Sequence, residues 1–71
     1  MHALLNYHDD LEPNIPIFEG NYVTANTDEF GLVKGKKYKV LEVNALDLIT
    51  VEMNERESYE FTVEYFNQIE K

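Results

Sequence analysis

Acidic side chains outnumber basic ones 14 to 6 in this 71-residue chain, so carboxylate chemistry is the first to test. The glutamates at 42, 52, 55, 57, 60 and 64 fall at the short spacings from which acid–base pairs, cation sites and phosphate-like arrays are built. Glu55 and Glu57 lack the loop glycine and ligand density of a calcium site. Ser58 is the single serine, and no histidine lies near it in sequence to act as its base. His2 and His8 with Asp9 and Asp10 match no familiar metal-ligand spacing. Glycines 20, 31 and 35 form no phosphate-cradling pattern. No catalytic, metal or cofactor motif therefore stands in the sequence, and the expectation is a protein that is not an enzyme.

Charge is unevenly distributed. Residues 1–33 carry six acids and no base, residues 34–39 carry four lysines, and residues 40–71 carry eight acids against Arg56 and Lys71, for a net charge of −8. Binding to DNA or RNA depends on lysine and arginine neutralising phosphates, so direct nucleic-acid binding is disfavoured and a basic protein partner is favoured. Lys34, Lys36, Lys37 and Lys39 read as a solubilised turn, with Lys39 blunting an edge or pairing with a glutamate across strands. Cysteine is absent, which excludes disulfides and thiolate metal sites. Met1-His2-Ala3-Leu4-Leu5 lacks the basic start of a signal peptide, and no stretch reaches the length of a membrane span. These features read as one small, complete, soluble cytoplasmic domain.

The elements that position the charges are strands. Residues 31–43, GLVKGKKYKVLEV, organise the chain: an apolar pair, a turn at Gly35, then a long run of β-formers. Within that run Tyr38 and Val40 share one parity while Leu41, Val43 and Ala45 share the other. Such a switch requires a bend between two packed sheets or a bulge near Val40. Residues 20–26 form an earlier strand, and Phe30, Leu32 and Val33 are expected beneath the core. Residues 1–19 read as an extension or arm whose first residues are helix or strand, with an extended Pro13–Pro16 segment whose P-x-x-P lacks a flanking arginine.

Two alternating segments follow, residues 48–54 and 58–63. Matching their apolar faces pairs Met53 with Tyr59 and Val51 with Phe61, leaving Glu55-Arg56-Glu57 as the loop. The preceding hairpin pairs Val43 with Ile49 and Leu41 with Val51, leaving Ala45-Leu46-Asp47. This register sets Glu52 opposite Glu60, with Glu42 one diagonal away. Like charges directly opposite cost roughly 0.2–1 kcal/mol, so the row reads either as solvated surface or as an anionic face. The chain then reads as strand, a 3₁₀ turn that lets both Tyr65 and Phe66 pack, and a final short strand.

FTVEYFNQI and LVKGKKYKVLEV together resemble the small SH3-like barrels of bacteria and their phages. The first is similar to the strand, tyrosine-bearing 3₁₀ turn and closing strand of that fold, and the second to its turn and long strand. The resemblance implies an all-β chain: a five-stranded SH3-like barrel over residues 20–71 with an N-terminal extension over residues 1–19. Peptide-binding members use a tryptophan and a proline that this chain lacks, with Val63-Glu64 standing where the proline is expected. Carry-over of their proline-rich-peptide groove rests on Tyr65 alone.

Charge and resemblance imply a non-enzymatic acidic binding protein. Its most concrete form is a phage-type DNA mimic that occupies the DNA-binding surface of a basic host protein, such as a nucleoid-associated protein. The residues expected to carry that role are Glu42, Glu52, Glu55, Glu57, Glu60 and Glu64, and no cofactor, metal or membrane is implied. The alternative is an adaptor or structural module binding a protein or peptide through Tyr7, Phe18, Tyr59 and Tyr65, with acidity serving solubility. A homodimer formed through an edge strand or through residues 1–19 is compatible with either.

Overall fold

A computed structural model describes residues 1–70 and shows an all-β chain. Seven strands run in the order β1 (Ala3–Leu5), β2 (Ile15–Ile17), β3 (Tyr22–Ala25), β4 (Lys37–Ala45), β5 (Leu48–Asn54), β6 (Glu57–Thr62) and β7 (Phe66–Glu70). A single 3₁₀ turn, Val63–Tyr65, joins β6 to β7. β1 and β2 form a two-stranded antiparallel sheet, and the other five form a sheet ordered β6-β5-β4-β3-β7. No ladder joins β6 to β7 among the described residues, so both are edge strands and the sheet is not closed. None of the helices in the described residues is long and apolar enough to cross a membrane.

β4 belongs to both halves of the large sheet: Lys37, Tyr38 and Lys39 pair with β3, and Val40 to Ala45 pair with β5. The parity switch is resolved by a bulge. Val40 lies opposite Val51 and Glu42 opposite Thr50, which leaves Leu41 unpaired between them. Tyr38 and Val40 therefore face the core before the bulge, and Val43 packs against it afterwards. This corrects the pairing of Leu41 with Val51, whereas Val43 does lie opposite Ile49. A second irregularity between Val43 and Ala45 shortens the β4–β5 turn to Leu46-Asp47.

The β5–β6 hairpin is displaced by two residues from the expected register. Val51 lies opposite Tyr59, Ile49 opposite Phe61, Thr50 opposite Glu60 and Glu52 opposite Ser58. The cause lies in the turn, where Asn54 Oδ1 accepts the backbone N–H groups of Arg56 at 2.9 Å and Glu57 at 3.0 Å. That side chain closes a two-residue Glu55-Arg56 turn, and an irregularity between Glu52 and Asn54 absorbs the remaining offset.

Residues 1–19 are integral to the packing. Ala3, Leu5 and Ile17 are fully buried in one cluster with Val23, Val40 and Ile49, and Leu4 N–H donates to Leu46 O at 2.8 Å. Of the three apolar residues expected beneath the core, only Leu32 is there; Phe30 is 63% exposed and Val33 also faces solvent. The chain enters the left-handed region at Phe30 (φ 58°) and Gly31 (φ 84°), which turns the Phe30 ring outward. Tyr38 is buried, and its hydroxyl oxygen accepts the Val33 N–H at 2.8 Å, so the loop is pinned from below. Phe66 is buried, while Tyr65 stays partly exposed against Phe61.

Candidate interaction surfaces

The six candidate glutamates are all exposed, but the fold divides them. Glu42 and Glu60 lie in one cross-strand row on either side of Thr50, and Glu52 stands diagonal to Glu60. With strands about 4.8 Å apart, Glu42 and Glu60 are separated by about 10 Å, and Glu52 and Glu60 by roughly 7–8 Å. The Glu52–Glu60 opposition expected from the pattern is therefore absent, because the Asn54 turn slides β6 by two residues. Asn44 Nδ2 donates to Thr50 Oγ1 at 2.9 Å and to Glu60 Oε2, which fixes one carboxylate of the face.

The other three serve different neighbourhoods. Glu55 is at the tip of the β5–β6 turn. Glu57 Oε2 accepts the Tyr59 hydroxyl at 2.7 Å, and that bond together with the carboxylate charge holds the Tyr59 phenol above its usual pKa. Glu64, in the 3₁₀ turn, accepts the Thr62 hydroxyl at 2.9 Å. Glu42, Glu52, Glu55, Glu60 and Glu64 form no ion pair with a described Lys or Arg.

Two of the four clustered lysines have local partners. Lys37 pairs with Glu70, and Lys36 Nζ sits 5.4 Å from the centroid of the Tyr38 ring. Lys39 lies opposite Tyr22 on an interior strand, so it blunts no edge. The two histidines diverge: His8 Nε2 meets Asp47 Oδ2 at 3.2 Å, and His2 packs against Phe18.

A second surface is aromatic. Phe30, Leu48, Tyr59, Phe61 and Tyr65 line a cavity of about 400 Å³ beside β6, with Glu60 and Glu64 on its margin. The Tyr65 ring holds it together, 5.4 Å from Phe30 and 6.0 Å from Phe61, each in an edge-to-face arrangement. Of the four candidate aromatics, Tyr59 and Tyr65 meet here. Tyr7 lies in a larger acidic cavity of about 810 Å³ between residues 6–12 and Glu64, and Phe18 lies with His2. Phe30 is the residue that pattern reasoning placed elsewhere; the available signal was its position before a glycine in the polar stretch Thr27-Asp28-Glu29. No family model, curated protein or solved structure matches this chain.

Proposed function

We propose that the chain is a non-enzymatic acidic binding protein for a basic protein, and most concretely a phage-type DNA mimic that occupies a DNA-binding surface. The observation that carries this reading is the outer face of β4-β5-β6, where Glu42, Glu52 and Glu60 project from three adjacent strands without a described cationic partner. Carboxylates at fixed spacing on a sheet would engage the lysines and arginines that otherwise hold phosphates, with binding steered by charge and weakened by salt. The scaffold is read as a small SH3-like barrel over residues 20–70. Supporting that reading are the turn before the long bent β4 and the Tyr65-bearing 3₁₀ turn between β6 and β7.

The test is displacement of a labelled DNA duplex from a purified bacterial nucleoid-associated protein at low salt. Displacement by the native chain, reduced about tenfold or more in the Glu42→Gln/Glu52→Gln/Glu60→Gln variant, is the expected result. Equal displacement by the variant removes these three residues from the site, and no displacement by the native chain overturns mimicry of that protein class.

The cavity at Phe30 favours a second reading, an adaptor that binds a protein segment through Tyr59 and Tyr65. Apolar contact there would survive ionic strength that screens the outer glutamates.

A further inference from the structure

β6 is a six-residue edge strand with β5 on one side and no strand on the other among the described residues. An edge strand directs the N–H and C=O groups of alternate residues outward, and proteins commonly blunt such edges with lysine, proline or a covering loop. β6 contains neither lysine nor proline. No turn or loop hydrogen bond among the described residues ends on Glu57 to Thr62 backbone atoms apart from the Asn54 turn contact at its start.

The open edge borders the aromatic cavity. Tyr59 and Phe61 from β6 form one wall, and Phe30 and Tyr65 stand alongside. Phe30 is a bulky residue at φ 58°, a conformation that costs such a residue roughly 1–2 kcal/mol, and the residue is 63% exposed. Backbone strain of this kind clusters at active sites and ligand clamps. Charge then selects the occupant: Glu57 and Glu60 lie on the strand, Glu64 lies at its end, and no Lys or Arg lines the cavity.

We infer that the free edge of β6 takes an extended, basic segment of a partner protein as an added β-strand. Main-chain hydrogen bonds to β6 supply affinity. Alternate apolar side chains enter the cavity between Phe30, Tyr59 and Tyr65, and the intervening lysines or arginines face Glu60. A second copy of this chain is a poorer occupant, because pairing β6 with itself would bring Glu57 and Glu60 of both copies to one short seam. This inference rests on the aromatic-surface reading and shares only Glu60 with the outer glutamate face.

The probe is a short capped peptide of alternating lysine and valine, compared with the same peptide N-methylated at alternate backbone positions, one version for each parity. Binding is read by calorimetry, with amide hydrogen exchange followed along β6. The expected result is that methylation of one parity weakens binding by about tenfold or more, and that the unmodified peptide slows exchange at alternate β6 amides. Tyr59→Ala should weaken the unmodified peptide, whereas Glu19→Gln, at an exposed acid outside both surfaces, should leave it unchanged. Equal binding of all three peptides overturns strand addition while leaving a side-chain adaptor in place. Absence of binding by any peptide overturns both. Self-association through β6, seen as a dimer whose β6 amides are protected without peptide, overturns the choice of occupant.

Discussion

Phe30 meets Tyr65 edge-to-face, with ring centroids 5.4 Å apart and planes at 66°, from a backbone position at φ 58°. Two effects of similar size oppose each other there: the left-handed conformation costs a residue with a Cβ roughly 1–2 kcal/mol, and an aromatic pair contributes roughly 0.5–1.5 kcal/mol. Phe30→Ala loses the pair and keeps the cost, whereas Phe30→Gly loses both. The glycine variant should therefore be the more stable of the two by about 1 kcal/mol in urea denaturation. The opposite order would mean that the backbone at this position is not held in the left-handed region.

The register of the β5–β6 hairpin is testable through charge. Since Ser58 faces Glu52, Ser58→Lys should stabilise the fold by roughly 0.2–1 kcal/mol, and salt should diminish the gain. In the register inferred from apolar matching, Ser58 would lie opposite Asn54 and the lysine would gain nothing of this kind. A thermal melt at low and high salt separates the two.

Asn54 is the cause assigned to that register, so its removal should be felt at the turn. Asn54→Ala deletes the acceptor for Arg56 N–H and Glu57 N–H, with an expected loss of about 1 kcal/mol and faster amide exchange at Glu57. Stability and exchange that match the native protein would place the origin of the two-residue slip elsewhere.

These positions also mark where the sequence was legible. β5 was readable to its ends because Ile49, Val51 and Met53 alternate with polar residues, and the bulge at Leu41 was announced by the change of parity after Val40. The hairpin register was not, because a slip of two residues keeps Val51, Tyr59 and Phe61 on the same face; only the Asn54 side chain decides between the two alignments. That decision separated Glu52 from Glu60 and so changed the candidate face. β1 and β2 are three residues each, too short to show a period, and their pairing partner lies across an acidic loop. Phe30 belongs to an apolar run that reads as core, and the positive φ that turns it outward leaves no trace in hydrophobic pattern.

Tyr59 offers a reporter for the β6 edge. Its hydroxyl donates to Glu57, and the neighbouring carboxylate opposes formation of the phenolate, so its pKa lies above the usual value near 10. Glu57→Gln should lower it, as read by the absorbance of ionised tyrosine with a Tyr59→Phe protein as the reference. For stability the sign is fixed by proton uptake. The folded state holds this proton more tightly than the unfolded state, so the contribution is complete below the usual phenol pKa and is lost as pH rises through the raised folded value. A Tyr59 titration unchanged by Glu57→Gln would remove the hydrogen bond as its cause.

Leu5 tests whether residues 1–19 are part of the folding unit. Its side chain is fully buried in the cluster that includes Val23, Val40 and Ile49, although it lies on a three-residue strand paired only with another short strand. Truncating a buried leucine removes its transfer free energy and leaves a cavity, so Leu5→Ala should cost about 2–5 kcal/mol. A single core in a chain of this length rarely supplies more than about 3–5 kcal/mol, so that loss would be most of the total and should sharply lower the urea midpoint. Leu11, 94% exposed in the loop between β1 and β2, supplies the contrast: Leu11→Ala should stay within about 0.5 kcal/mol of the native protein. If residues 1–19 were an arm lying outside the core, both variants would be neutral. A large loss at Leu5 beside neutrality at Leu11 requires that β1 and β2 fold together with the five-stranded sheet.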